Sequence, residues 1–435
     1  MRRRGAGVVL VLAVVFVCGL AAVGSATAQP TVGQSAQSGQ YAGGNGTTEA
    51  PYQIATWTHL NNTREQPGAN FTLAADLNET TAGYDAVASS GANGGAGFVP
   101  IGGLRAPERF AGTFDGAGHT IDGLTLNRSG ENRVGLFASV WNGGTITNLT
   151  LTDATVAGAT RTGGLAGVVE GGTITRSSVH GSVRGKSSVG GLAGVVFNIP
   201  ESTTQESVRS RIAESSVRGS VTGRDGRAGG LVGLNQGTLR DSYARAQVTG
   251  NPDNPTGGLV GVHGNEGSLR DSYAAGAVVG GQTGGLTGQT SGTLTGVYWD
   301  LNATGQENAT ALGTAGGAVG LPPSALTGTA ARTNTTLDFE STWFAVGCDY
   351  PALAERPTAC PPILVDAQPR DPDSDGQYED VDGEFGFNIL DVQALFTNLD
   401  NPALQNSAAQ FTFSSISAEV TVLDVQALFN ELTAN

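Results

Sequence analysis

Aromatic residues are scarce in this chain: phenylalanine, tryptophan and tyrosine make up 6% of it, whereas glycine fills 67 of 435 positions. So few rings argue against a large aromatic-centred core, and glycine without a collagen-like period is typical of low complexity or of many tight turns. Bases are also few, 23 against 38 acids, and the net charge of −15 argues against nucleic acid as a partner. The Gly-x-Ser-x-Gly motif of hydrolases is absent.

Cysteines are equally few. Cys18 lies in the N-terminal segment, which leaves Cys348 and Cys360 for the rest of the chain. An even pair in an exported protein predicts a disulfide, with two free thiols as the alternative.

The longest apolar run is at the N-terminus. Arg2–Arg4 precede the apolar segment Val8–Val23, and Ala26-Thr27-Ala28 forms a small-x-small cleavage site. This order is typical of a signal peptide. The run is shorter than the roughly 20 residues of a membrane helix, which favours a cleaved signal over an uncleaved anchor, the alternative. We expect no membrane span after cleavage. The arginines do not decide between the Sec and Tat export routes.

Repeats organise the middle of the chain. Gly-Gly-Leu recurs with its leucines spaced by 27, 39, 28 and 27 residues, and the long step contains the inserted loop IPESTTQESVRSR. Short runs with period-two alternation lie between the triplets, which indicates strands separated by Gly-rich corners. Stacking such units about 4.8 Å apart, with Leu on Leu and Val on Val, predicts a parallel β-solenoid, right-handed by the usual rule. The leucines are Leu165, Leu192, Leu231, Leu259 and Leu286.

The segment Gly229–Gly250, GGLVGLNQGTLRDSYARAQVTG, resembles the consensus of the GLUG-motif repeat family. The resemblance covers 134–300, and flanking segments resemble the opening and closing parts of such surface proteins. It implies a secreted or surface β-helix, adhesin-like or protease-linked in some members, and leaves the activity open.

One column of the aligned repeats is a candidate for catalysis. Asp241 and Asp271 would lie on neighbouring rungs about 5 Å apart, near the carboxyl separation of retaining glycosidases. The alternative is a solvated, charge-laced turn, because Arg240 and Arg270 precede the two acids. We therefore assign no catalytic residue. The column comprises Asn148, Arg176, Glu214, Asp241, Asp271 and Gly296, and a ladder of Tyr243, Tyr273 and Tyr298 follows it as a candidate sugar platform.

The four histidines show no metal-ligand spacing, and we expect them at the surface. They are His59, His119, His180 and His263.

The tail is acid-rich: from Asp366 to Asn435 there are 13 acids and one base, Arg370. Two overlapping frames, beginning at Asp371 and Asp380, place carboxylates at positions 1, 3 and 5 of a calcium loop, where alternate side chains converge on one cation. An acidic disordered tail is the alternative. The predicted Ca²⁺ ligands are Asp371, Asp373, Asp375, Glu379, Asp380, Asp382, Glu384, Asn388 and Asp391.

The heptapeptide LDVQALF occurs twice in the tail, at 390–396 and 423–429, and each copy has an apolar stripe at helical spacing. The second loop has Phe413, Ser415 and Ser417 at positions 1, 3 and 5, and only Asp424 persists there, so we expect calcium at the first unit alone, as one or two ions. The predicted partner-binding face consists of Val392, Leu395, Phe396, Val425, Leu428 and Phe429.

These two loop–helix units resemble a dockerin-type I module. The resemblance implies Ca²⁺-dependent folding and docking on a cohesin-like domain. The first unit departs from the pattern at Phe385, where the loop requires glycine.

Together these features predict a mainly β protein: a parallel β-helix with a small C-terminal α-helical, dockerin-like calcium domain. We expect a secreted or cell-surface, non-catalytic adhesion or presentation scaffold, attached to a cohesin-like domain or another surface protein, with a glycan as candidate ligand of the solenoid. The alternatives are a glycoside hydrolase or polysaccharide lyase carrying a dockerin, and a purely structural envelope component. The predicted parts are 1–28 signal peptide, 29–133 N-terminal cap and first rungs, 134–300 GLUG repeats, 301–360 closing segment, 361–370 linker and 371–435 dockerin-like domain.

Overall fold

The computed structural model describes residues 39–103, 105, 107–201, 207–346 and 349–353, together with 392, 395, 396, 421 and 424–429 of the tail. The signal segment, Cys348, Cys360 and all nine predicted Ca²⁺ ligands lie outside the described residues. Within the described part, no helix is long and apolar enough to cross a membrane.

Short parallel strands stack into a solenoid. In the described part of the chain they form three hydrogen-bonded sheets, of 17, 7 and 5 strands. Each strand pairs with its equivalent one rung away, as in the pairs Ile174↔Ile146 and Ile174↔Ile212. The predicted mainly β, parallel solenoid is therefore confirmed, while its right-handedness stays a prediction.

The N-terminal part supplies short elements before the regular rungs begin. They are β1 Tyr52–Ile54, α1 Trp57–Asn62, a 3-10 turn Thr63–Glu65, β2 Phe71–Leu73, α2 Tyr84–Val87, α3 Ala92–Gly95, β3 Thr113–Asp115, β4 Thr120–Asp122, β5 Thr125–Asn127, β6 Phe137–Trp141, β7 Thr145–Thr147 and β8 Thr150–Ala157.

The regular rungs each contribute four strands. They are β9 Thr160–Gly163, β10 Ala166–Glu170, β11 Thr173–Thr175, β12 Ser178–Gly185; β13 Ser187–Gly190, β14 Ala193–Phe197, β15 Arg211–Ala213, β16 Ser216–Gly223; β17 Ala228–Gly229, β18 Val232–Asn235, β19 Thr238–Arg240, β20 Tyr243–Thr249; and β21 Pro255–Gly257, β22 Val260–His263, β23 Ser268–Ala274, β24 Val278–Val279.

The last turns of the solenoid lead into short helices. They are β25 Gln282–Gly284, β26 Thr287–Thr290, β27 Thr293–Asp300, α4 Leu301–Thr304, β28 Thr310–Gly313, β29 Ala318–Leu321, α5 Pro323–Leu326 and α6 Ala330–Asn334.

The core consists of apolar columns that run along the solenoid. The five leucines of the Gly-Gly-Leu triplets are fully buried, as the repeat pattern predicts. Val183 pairs with Val156 on one side and Val221 on the other, so valines also stack in register. Burying a Leu or Val side chain contributes about 1.5–3 kcal/mol, which stacked rungs gain repeatedly and one isolated rung does not.

The glycines of the triplets serve close packing rather than an unusual backbone conformation. None of the five leading glycines has a positive φ. A Cβ at Gly190 would lie 2.2 Å from the carbonyl oxygen of Ala193 and 2.7 Å from that of Leu231. Neighbouring backbone therefore excludes any side chain at this corner.

The insertion in the long repeat leaves the solenoid between β14 and β15, as predicted. Ile199 and Val208 exchange backbone hydrogen bonds of 2.8 and 3.0 Å, which closes its base. The rungs on either side remain paired, since Val196 still aligns with Asn235 of the next rung.

Candidate functional site

The column proposed for catalysis occupies one corner of successive rungs, between β7 and β8 and their equivalents. Its members share a left-handed backbone, a conformation that Gly, Asn and Asp adopt more readily than other residues. What the members of the column share is therefore the backbone conformation that the corner requires. The φ values are 52° at Asn148, 47° at Arg176, 51° at Glu214, 46° at Asp241, 47° at Asp271 and 61° at Gly296.

The two aspartates of this column differ in environment. Asp241 is only 5% exposed and forms an ion pair with Arg240, which also approaches Glu214 at 3.7 Å. The expectation of a solvated turn is thus wrong for Asp241, whose side chain is buried beside Arg240. Asp271 is partly buried; burial raises the pKa of its carboxyl group, Arg270 opposes that rise and Asp338 adds to it.

The tyrosine ladder is also covered. Tyr243 and Tyr273 stack with ring centroids 5.0 Å apart and planes inclined by 4°, and Tyr298 pairs with Tyr273 in the next strand. All three are at most 5% exposed, because Trp343 packs against the ladder, 5.6 Å from the ring of Tyr273. The expected sugar platform is therefore wrong: the protein's own C-terminal segment occupies this face.

Polar contacts fix to the sheet the C-terminal segment that contains Trp343, Asp349 and Tyr350, which we call the C-terminal cover. The hydroxyl of Tyr273 donates to the carbonyl oxygen of Pro351 at 2.7 Å. Arg245, almost fully buried, pairs with Asp349 at 2.8 Å, and its guanidinium lies 4.8 Å above the ring of Tyr350. Burial opposes ionisation of Asp349, but Arg245 and nearby hydrogen bonds hold the pKa of its carboxyl group below the usual value. The sequence contained no repeat signal for these contacts, since their partners are 78 and 104 residues apart.

A column of serines directly follows the left-handed corner. The backbone N–H of Ser242 donates to Oγ of Ser272 at 3.1 Å, and that Oγ donates to the carbonyl oxygen of Arg270 at 2.6 Å. Ser215 and Ser242 repeat this arrangement one rung earlier, at 3.2 and 2.7 Å. The ladder satisfies buried backbone groups at the corner. Sequence reasoning missed it, although the serine recurs in RSSV, ESSV and both DSYA stretches.

One histidine lies in the core. His263 is fully buried, so its expected surface position is wrong. Its Nε2 lies 3.2 Å from the carbonyl oxygen of Thr293, and its Nδ1 lies 3.2 Å from the side-chain nitrogen of Asn235. Burial lowers the pKa of its imidazole. His59, His119 and His180 are partly exposed.

A groove crosses the outer face of the sheet formed by β8, β12, β16 and β20. Its volume is about 940 Å³, and a second cavity of about 400 Å³ adjoins it, with His180 lining both. Two residue columns form the floor: one contains His180, Arg218 and Arg245, the other Thr155, Ser182, Ser220 and Gln247.

The two margins of the groove differ from each other. The second cavity is bounded by the C-terminal segment, including Thr342 and Phe344. On the opposite side, Arg184 lies two residues beyond Ser182 on β12, and Lys186 and Arg224 lie at the following corner; these three bases are exposed. We call them the basic rim. Asp225 is also exposed at this corner.

The tail is helical at the described positions of both LDVQALF copies. Leu395 and Leu428 are fully buried, whereas Phe396 is 58% and Phe429 41% exposed. The duplicated helices thus bury their leucines and present their phenylalanines.

Asp424 has a structural partner in the second unit. Its carboxylate accepts hydrogen bonds from the backbone N–H and the hydroxyl of Thr421, at 2.7 and 2.9 Å. This is the arrangement of a capping box at a helix N-terminus. Among the described residues there is no group of three or more His, Cys, Asp or Glu side chains suited to a metal ion.

Comparisons with known proteins identify partial relatives. A scan against models of protein families finds no match. Halomucin of Haloquadratum walsbyi is 37% identical over 156 residues, which is 35% of this chain and 2% of halomucin. A "Putative Gly-rich membrane protein" of Evansella cellulosilytica is 41% identical over 133 residues, 30% of this chain and 14% of the relative. The matches thus span only a small part of both curated relatives.

A solved structure shares the fold. It is the "putative immunoglobulin A1 protease" of Bacteroides ovatus, with a TM-score of 0.52 at 20% identity over 73% of this chain and 96% of that one. At this identity the likeness concerns architecture alone. The chain is thus a parallel β-solenoid that is similar over about a third of its length to parts of halomucin and of a Gly-rich membrane protein.

Proposed function

We propose that this protein is a secreted or cell-surface, non-catalytic β-solenoid that acts as an adhesion or presentation scaffold. The observation that carries the proposal is the covering of the candidate catalytic face. Asp241 is buried against Arg240, and the tyrosine ladder lies beneath Trp343. A glycosidase requires two carboxyl groups that reach the scissile bond, and Asp241 has no such access.

The relatives support a surface location for this chain. One of the two is named as a membrane protein and the other as halomucin, and each match covers about a third of this chain. The predicted signal peptide agrees with export. Stacked repeats give an extended body whose outer faces can carry ligands.

The tail is proposed as the attachment device. Nine oxygen-bearing side chains between Asp371 and Asp391 supply the hard ligands that Ca²⁺ prefers. Without the ion these acids repel one another, so calcium binding would order the first unit. The capping contact of Asp424 supports the asymmetry, because that carboxylate is engaged in holding a helix end. The exposed Phe396 and Phe429 are suited to a partner, as in the docking helices that the dockerin resemblance implies.

Fractionation of the source cells tests this proposal. We expect the protein in the envelope fraction with Ca²⁺ and in the soluble fraction after chelation. Asp373→Asn should release it at Ca²⁺ concentrations that retain wild type, whereas Asp400→Asn, outside both calcium frames, should not. A cytosolic protein, or envelope retention that ignores both chelator and Asp373, would contradict the proposal.

A second candidate function is a glycoside hydrolase or polysaccharide lyase attached through the same tail. Asp271 favours it, because a partly buried carboxyl group with a raised pKa suits general acid catalysis. Depolymerisation of a polysaccharide by wild type that is lost in Asp241→Asn/Asp271→Asn would establish this function over the scaffold.

A further inference from the structure

We propose that the outer groove over β8, β12, β16 and β20 binds an acidic glycan, a polysaccharide chain carrying uronic-acid carboxylates. This inference deepens the proposed scaffold function and rests on it, since it names what the solenoid holds. The groove lies beside the covered tyrosine ladder, since Arg218 of its floor approaches the hydroxyl of Tyr243 at 3.5 Å. Its hydroxyl column is formed by side chains that neither the core nor the C-terminal cover requires, whereas Arg245 of the floor pairs with Asp349 of that cover.

The floor of the groove matches the chemistry of sugars. Thr155, Ser182, Ser220 and Gln247 lie on successive strands and are partly or fully exposed. Three hydroxyls and one amide can donate to and accept from sugar hydroxyls. Because equivalent residues on neighbouring strands are about 4.8 Å apart, the floor presents a repeating array that suits a repeating polymer.

The dimensions favour a chain over a single sugar. The groove extends from Thr152 on β8 to Ala277 before β24, across five rungs. Five strands at about 4.8 Å span roughly 19 Å. The adjoining cavity extends the surface sideways toward Phe344, an exposed ring that offers an apolar contact for a sugar face.

The charge around the groove favours an anionic ligand. From Gly171 to Gly250 the sequence has 10 bases and 5 acids, although the whole chain carries −15. Arg184, Lys186 and Arg224 of the basic rim stand beside the hydroxyl column, with Asp225 as an exposed acid at the same corner and Asp153 on β8 as an exposed acid that lines the groove. Arg218 also lines the floor, but it is only 6% exposed and bonds to the hydroxyl of Tyr243, so the exposed Arg184 and Arg224 are the guanidinium groups offered to a ligand. Guanidinium groups bind carboxylates with paired hydrogen bonds, which uronates offer and neutral hexoses do not.

Binding of an oligogalacturonate to the full chain tests the inference, measured by calorimetry at low salt beside a neutral galactan oligosaccharide of equal length and poly-glutamate. We expect the uronate to bind at least tenfold more tightly than either. Ser182→Trp fills the groove and should weaken uronate binding at least tenfold. Its matched control is Ser268→Trp, at a similarly half-buried serine on another face, which should have no effect.

The contribution of charge is tested by Lys186→Glu, with Arg270→Glu as an equal charge change at an exposed base outside the groove. We expect Lys186→Glu to weaken uronate binding about threefold or more at low salt, and the difference to shrink as salt screens the rim. Equal affinity for the neutral sugar, equal affinity for poly-glutamate, no uronate binding, or equal losses in the control variants would overturn the inference. None of these results alters the envelope fractionation, so this inference can fail while the scaffold proposal stands.

Discussion

The side-chain nitrogen of Asn235 donates to Nδ1 of His263 across 3.2 Å inside the solenoid. The amide is oriented by its own oxygen, which accepts from the backbone N–H of Gly237 at 3.0 Å. Nε2 of His263 therefore carries the proton and donates to Thr293. A second proton on Nδ1 would face another donor, so this pair requires a neutral imidazole.

This pair predicts acid sensitivity. Burial holds the pKa of His263 below 6.5, so the unfolded chain binds this proton more tightly than the folded one. The contribution to stability is complete above about pH 6.5 and declines as pH falls from there through the lowered folded pKa. His263→Thr, which copies Thr290 of the next rung, should show a smaller loss of Tm between pH 7.5 and 5.5 than wild type. Equal losses would contradict the prediction.

The serine ladder predicts that removal of one of its hydroxyl groups destabilises the protein. Ser242→Ala leaves the N–H of Ser215 without its partner and should lower the free energy of unfolding by about 1–3 kcal/mol. Denaturant unfolding measures this change. Ser182→Ala, on the groove floor, is the matched control and should change stability by less than about 0.5 kcal/mol. Similar values for both variants would count against the ladder.

The C-terminal cover predicts a large packing effect at Trp343. Truncation by Trp343→Ala should cost about 3–5 kcal/mol and expose the stacked tyrosines. Phe344→Ala removes the neighbouring, 39% exposed ring and should cost much less. Thermal unfolding and the accessibility of Tyr273 to a tyrosine-modifying reagent check the result. Equal reactivity in both variants would mean that the cover does not protect the ladder.

The tail predicts an asymmetric response to calcium. Asp375→Ala should weaken Ca²⁺ binding, because the residue is a predicted ligand of the first unit. Asp424→Ala should leave Ca²⁺ affinity unchanged and lower stability by about 0.5–2 kcal/mol, because its carboxylate caps a helix. Calcium titration calorimetry on the full chain, with thermal unfolding, separates these effects. A loss of affinity in Asp424→Ala would contradict the asymmetry.

The solenoid was predictable because its signal is repeated. Leu165 and its four equivalents have the same neighbours in every rung, so one alignment predicts both strand pairing and the buried side. The left-handed column from Asn148 to Gly296 was aligned correctly for the same reason. The burial of Asp241 was not predicted, since the local charge pattern does not tell how much of a side chain the folded protein covers.

The C-terminal cover and the groove depend on contacts that occur only once, so the repeat pattern of the sequence does not predict them. Tyr273 meets Pro351 and Arg245 meets Asp349 once each, across a long stretch of chain. Without those contacts the tyrosines resemble an open sugar platform. The same segment also bounds one side of the groove, so neither feature could be inferred from the repeats alone.

The most direct test of the central claim, a binding scaffold without catalysis, is incubation of the full chain with a panel of acidic and neutral polysaccharides. Chain length, released reducing ends and bound protein are measured together. The account predicts binding to an acidic polysaccharide whose chain length stays unchanged. Depolymerisation by wild type that disappears in Asp241→Asn/Asp271→Asn would contradict it and establish the enzyme.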